Sequence, residues 1–147
     1  MSQVGGSTAS SSVPTAPAHR NQMLRVHGVV IVVLVVVEVL IGNALAVAGS
    51  PYPALTLDAH VGVAALLVLV TVGAVVVSVR QRATWGRVAA VLAFVSSLGA
   101  AISGTVFLQA GMATAPLDAM ESLAGVALLG GLLLIVWGSS EVPARPS

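Results

Sequence analysis

Four apolar runs of about twenty residues each dominate the chain, covering roughly 26–48, 59–79, 86–109 and 117–138. A helix of ~20 apolar residues is long enough to span the ~30 Å hydrocarbon core of a bilayer. Inside lipid the backbone must satisfy its own hydrogen bonds, which leaves only helices and closed barrels as spanning structures. None of the runs shows the short apolar–polar alternation of barrel strands, so the sequence predicts an all-α, integral membrane four-helix bundle. Composition points the same way: only 7% of the residues are charged, against roughly 25% in soluble domains. A water-soluble fold is excluded because there is too little polar material to clothe one.

The punctuation between the runs is consistent with this division. Pro51 and Pro53 lie in the first connection, Pro116 in the third, and Pro143 and Pro146 beyond the last run, and no proline falls inside a run. Residues 1–25 are rich in Ser, Ala, Gly, Thr and Pro and lack apolar periodicity, so they are expected to form a disordered tail. Residues 139–147 form a second, short tail. The absence of cysteine removes disulfides, iron–sulfur clusters and thiol-attached haem as options.

Arginine placement gives a topology. Arg20 and Arg25 precede the first run, Arg80, Arg82 and Arg87 lie around the second connection, and Arg145 follows the fourth run. The first and third connections contain no basic residue, and Asp58, Asp118 and Glu121 stand at their helix junctions. The positive-inside rule then places both termini and the middle connection in the cytoplasm of a multi-pass plasma-membrane protein. Trp85 and Trp137 fall at that interface and Tyr52 at the other, as an aromatic belt requires. With a net charge of +1 there is no basic field for nucleic acid, and the expected surroundings are the lipid bilayer.

A weak internal repeat runs through the sequence. Leu57-Asp58-Ala59-His60 is matched 60 residues later by Leu117-Asp118-Ala119-Met120, and the stretch 42–49 (GNALAVAG) is matched at an offset of 62 by 104–111 (GTVFLQAG). The chain thus reads as two tandem helical hairpins, related by an axis along the membrane normal, with His60 and Met120 in equivalent positions.

Few side chains can carry chemistry. Glu38 lies near the middle of the first run, where a carboxylate costs about 2.5–3.5 kcal/mol on insertion scales. It is expected to face the bundle interior, either as a proton or ion site or as a hydrogen-bonding group with Ser96, Ser97 or Ser103 as partner. His27 is eleven residues earlier, almost three full turns, and Gly42 continues the same stripe. His60 and Met120 form a candidate pair of haem axial ligands, since imidazole and thioether are a known combination at haem iron. His19 falls in the expected tail and is read as inert. Asn43, Gln109 and Glu121 sit near helix ends, where water satisfies them. Small residues in the third and fourth runs, including Ser96, Ala100, Gly104, Gly125, Gly130 and Gly131, permit close helix approach. They offer faces for a homo-oligomer or for a subunit of a larger membrane complex. No Ser/His/Asp set, phosphate loop or carboxylate pair is present, so no soluble-type enzyme site is expected.

With His60 and Met120 in this register, residues 25–138 resemble one four-helix half of the haem A synthase family and related small membrane proteins. The run Glu38-Val39-Leu40-Ile41-Gly42 is similar to a Gln/Glu-x-x-x-Gly pattern in the first helix of such proteins. The resemblance implies degenerate or lost haem binding, with haem b as the cofactor and His60 and Met120 as its ligands if any is bound, and a role as a haem-binding or respiratory assembly accessory protein whose site is empty or vestigial. Met120 stands where the family would place a second histidine, and there is no second four-helix half, so the synthase reaction itself is not implied. Glu38 and Gly42 also resemble the membrane-embedded Glu and nearby glycine of the small multidrug resistance transporters. Carried over, Glu38 would exchange protons in a small proton-coupled transporter. The third run lacks that family's aromatic and glycine pattern.

Overall fold

A computed structural model describes residues 17–48, 51–82, 84–109 and 114–139, with side chains placed for 22–48, 51–82, 84–109 and 117–138. The described residues form four helices: α1 (Pro17–Ala48), α2 (Ala54–Gln81), α3 (Thr84–Gln109) and α4 (Thr114–Ser139). All four are long and apolar enough to cross a membrane. The chain is an all-α, multi-pass four-helix bundle, as its apolar runs require.

Three boundaries lie further out than hydrophobicity alone suggests. α1 begins at Pro17, inside the stretch expected to be a disordered tail, so residues 17–25 are helical. Proline suits the first turn of a helix, where its missing N–H has no partner to lose. The Ala, Arg, Gln, Met and Leu residues that follow have good helix propensity although they lack apolar periodicity. Similarly, α2 begins at Ala54, where the carbonyl of Pro53 accepts hydrogen bonds from Thr56 N–H at 3.1 Å and Leu57 N–H at 3.0 Å. α4 begins at Thr114, three residues before its apolar run. Hydropathy marks where a helix enters lipid, and the helix itself extends beyond that point. The expected tail at 139–147 lies, apart from Ser139, outside the described residues.

α2 and α3 are joined by a tight reversal. Arg82 takes the left-handed conformation (φ 55°, ψ 25°), and its N–H donates to the Val79 carbonyl at 3.2 Å. This is a C-terminal cap usually given to glycine.

The helices form a ring in which α1 packs on α2, α2 on α3, α3 on α4 and α4 on α1. That order places α1 diagonal to α3, and α2 diagonal to α4. The closest approaches lie along α4. A Cβ built on Gly130 would stand 2.9 Å from Ala93 Cβ and 3.0 Å from the Ala89 carbonyl oxygen of α3. One built on the adjacent Gly131 would stand 3.0 Å from Ile31 Cγ2 of α1. Across the same seam, a Cβ on Gly28 would lie 2.7 Å from the Gly131 carbonyl oxygen. Two consecutive glycines therefore let one helix meet two neighbours at once, backbone against backbone. Trp85 of α3 stacks on Trp137 of α4, with ring centroids 5.8 Å apart, at the end of the bundle that holds the α2–α3 turn.

The burial pattern repeats with the sequence offsets. Leu24, Gly28, Ile31 and Val35 are buried on α1, and 62 residues later Gly86, Ala90, Ala93 and Ser97 are buried on α3. Leu67, Thr71 and Ala74 are buried on α2, and 60 residues later Ala127, Gly131 and Leu134 are buried on α4. The two hairpins thus bury corresponding faces. The match is closest in the helix halves near the α2–α3 turn. Buried hydroxyls on α2 are satisfied within the helix: Thr71 Oγ1 donates to the Val68 carbonyl at 2.8 Å, and Ser78 Oγ to that of Val75 at 2.7 Å.

Replacing Gly28 with Ala should destabilise the bundle by about 1–3 kcal/mol, because the new methyl meets backbone atoms that cannot yield. Gly62→Ala, where nothing lies within 4 Å, should change stability by no more than about 0.5 kcal/mol. Unfolding in detergent micelles measures both, and equal effects of the two substitutions would contradict the packing described.

Candidate functional site

The polar centre of the molecule lies on the seam between α1 and α2. Glu38 sits ten residues from the end of α1 and His60 six residues past the start of α2. In antiparallel helices with a 1.5 Å rise these distances bring the two residues to overlapping depths. Their side chains meet: His60 Nδ1 lies 3.2 Å from Glu38 Oε1, and each side chain retains 17% of its exposure. The two atoms are within ion-pair distance but off the line that a hydrogen bond requires, and both Glu38 Oε2 and His60 Nδ1 are buried without a hydrogen-bond partner.

Gly42, one turn beyond Glu38, makes room for the imidazole. A Cβ on Gly42 would stand 3.6 Å from His60 Cε1, in ordinary van der Waals contact, whereas a larger side chain would occupy the ring's place. The stripe His27–Glu38–Gly42 does share one side of α1, and that side faces α2. His27 Nδ1–H donates to the Met23 carbonyl at 2.8 Å, and its Nε2 lies 3.2 Å from the position of a Cβ on Gly73. His27 is therefore held by its own helix and packs on α2 well away from Glu38.

The serines considered as partners for Glu38 do not serve it. Ser96, Ser97 and Ser103 are on α3, diagonal to α1. Glu38 Oε2 remains unpartnered, and so does the buried Ser97 Oγ.

Met120 occupies the place in the second hairpin that His60 occupies in the first. Its Sδ lies 3.5 Å from the position of a Cβ on Gly104, as His60 Cε1 lies 3.6 Å from that on Gly42. Gly104 is the residue 62 positions after Gly42, and the position equivalent to Glu38 is Ala100. The repeat is thus visible as a contact: α2 residue on α1 glycine, and α4 residue on α3 glycine. Only the first copy carries the polar pair.

This arrangement bears on the haem pair. His60 and Met120 stand on diagonal helices, and each packs against the glycine of its own hairpin partner. His60 already directs Nδ1 at Glu38. His60 Nε2, the ring nitrogen turned away from Glu38, is the one an iron would take, with a carboxylate beside Nδ1 as ligating histidines commonly have. Among the described residues no three His, Asp or Glu side chains gather as a metal site. Asn43, Gln109 and Glu121 are exposed near helix ends, as expected.

No protein-family model, curated protein or solved structure matches the chain.

The pairing of Glu38 with His60 was not read from the sequence, which set Glu38 in the membrane centre and His60 at the outer face. Starting α2 at Ala54 brings His60 nearly two turns into the helix. The available signal was the repeat itself, because aligning Gly42 with Gly104 and His60 with Met120 implies that each pair touches.

Glu38→Gln and His60→Ala should be non-additive in unfolding free energy, with a coupling of about 0.6–1.7 kcal/mol, the range found for polar contacts between membrane helices. Glu38→Gln and Met120→Ala, on different seams, should add. A vanishing Glu38–His60 coupling would show that the contact carries no energy.

Proposed function

We propose that this is a small proton-coupled membrane transporter in which Glu38 exchanges the proton and His60 is its counter-group. The observation that carries the reading is the approach of His60 Nδ1 to Glu38 Oε1 at 3.2 Å, with the second carboxyl oxygen buried and unpaired. An ionisable side chain within a membrane span is costly and is retained where it has work to do, most often with a partner across the interface.

The chemistry of the pair follows from its two basic sites. With one proton shared between carboxylate and imidazole the pair is neutral overall, whether written as carboxyl and imidazole or as carboxylate and imidazolium. Adding a proton makes it a cation, and removing one makes it an anion. Both changes place a net charge among apolar helices, which raises the electrostatic energy of the seam. Proton exchange is thereby coupled to anything that hydrates or opens the α1–α2 seam. Each side chain keeps 17% of its exposure at the seam, so the proposed exchange requires water to enter there. Between this level and His27, Leu67 belongs to the buried apolar core and Leu34 packs against it. Protons would then reach Glu38 from the end of the bundle that holds the α1–α2 and α3–α4 connections. By the positive-inside rule that end faces outward, with both termini in the cytoplasm and the chain in the plasma membrane. The accessory role implied by the haem A synthase resemblance would instead require a haem, for which His60 Nε2 is the ligating nitrogen.

The test is infrared titration of the full-length protein in lipid. A protonated-carboxyl carbonyl band should appear and disappear with pH and be missing in Glu38→Gln. Liposomes containing a pH-sensitive dye should acidify faster with wild-type protein than with that variant. Identical titration and flux in the two proteins would overturn the proposal. A haem absorption band in the purified protein that is lost in His60→Ala would replace it with the haem reading.

A further inference from the structure

Two shallow grooves lie on the outside of the bundle, one on α1 and one on α3. The first, of about 250 Å³, is lined by Gln22, Arg25, Val26, Val29 and Val30. The second, of about 440 Å³, is lined by Arg87, Val88, Val91, Leu92 and Val95. They are copies of one another: Arg25 and Arg87 stand 62 residues apart, as do Val26 and Val88, and Val29 and Val91. Because α1 and α3 are diagonal in the ring, the two grooves open on opposite sides of the bundle, at the end that holds the α2–α3 turn.

Each groove joins two chemistries in one order. An exposed arginine stands at the bundle end, and apolar side chains follow it toward the membrane centre at helical spacing. The valines are well exposed, with Val26 at 52%, Val88 at 53% and Val91 at 41%, so nothing among the described residues covers them. The acids placed by the structure are distant from both arginines. Asp58, Asp118 and Glu121 stand near the opposite end, and Glu38 is engaged in the α1–α2 seam. Among the described residues neither guanidinium has a carboxylate partner, and a guanidinium binds phosphate through paired N–H donors. Its position above an apolar trough leaves room for an acyl chain beneath the phosphate, which a free phosphate ion would not use.

We infer that Arg25 and Arg87 head two equivalent binding sites for anionic phospholipid, with the phosphate held by the guanidinium and an acyl chain lying along Val26 and Val29 on α1, or Val88 and Val91 on α3. The occupant is a lipid of the leaflet that meets the α2–α3 turn. The inference is independent of the proton reading, since neither groove contains a residue of the Glu38–His60 pair.

Native mass spectrometry of the full-length protein released from micelles containing phosphatidylglycerol or phosphatidylcholine tests it. Two phosphatidylglycerol molecules should be retained per chain, with occupancy lowered at one site in Arg25→Gln, at the other in Arg87→Gln and at both in the double variant. Each substitution should weaken binding at its own site roughly fivefold, the worth of one basic residue beside an anionic headgroup. Phosphatidylcholine should not be retained, and excess inorganic phosphate should leave the bound phosphatidylglycerol in place. Both arginines are exposed, so the variants should unfold at the wild-type temperature, which a thermal melt checks. Equal retention of the two lipids, or full retention by the double variant, would overturn the inference. So would displacement by phosphate alone, or an equal loss in Arg80→Gln/Arg82→Gln, which would assign the effect to a general positive field.

Discussion

The bundle depends on the close approach that Gly130 and Gly131 allow. In water, apolar helices are driven together by burial, but in lipid the surrounding tails are as apolar as the helices, and association relies on packing at short range. Two adjacent glycines on α4 remove the side chains that would hold both α1 and α3 away. Gly28 completes the contact with α1 from the other side. The ring of four helices is thus closed at α4, by a sequence feature that hydrophobicity does not register.

Against this tight seam the α1–α2 interface is of a different kind. It contains Glu38, the one acid among the described residues that stands well away from the helix ends, a half-buried histidine beside it, and a glycine that accommodates the ring. Dispersion forces need many atoms in contact, while a polar pair in a low-dielectric setting concentrates its energy in two groups. One side of α1 is fixed by backbone contact with α4, and the other is left to a pair whose charge depends on protons.

The architecture was legible in the sequence because lipid imposes a length and a composition on every span, and the runs at 26–48, 59–79, 86–109 and 117–138 met both. The helix ends were less legible. Pro17, Ala54 and Thr114 begin helices outside the apolar runs, where backbone hydrogen bonding and propensity decide and hydropathy carries no signal. Glu38 was legible as the exceptional residue, since few ionisable groups are tolerated at that depth. Its partner was not. Serines on α3 looked suitable by chemistry, but the ring order places α3 diagonal to α1, and helix order is set by contacts such as Gly28 on Gly131 that no local pattern announces. The repeat, weak as a string of letters, became informative once His60 on Gly42 and Met120 on Gly104 were seen as one contact made twice.

The turn at Arg82 has a mechanical consequence. α1 and α2 form one hairpin and α3 and α4 the other, and only two residues separate Gln81 from Thr84. So short a tether fixes α2 and α3 side by side and prevents one hairpin from sliding along the other. Any rigid-body rocking between the halves must pivot at this corner, where Arg82 already sits in a backbone conformation that is costly for a residue bearing a Cβ. The same corner would require α2 and α3 to enter the bilayer together as one unit.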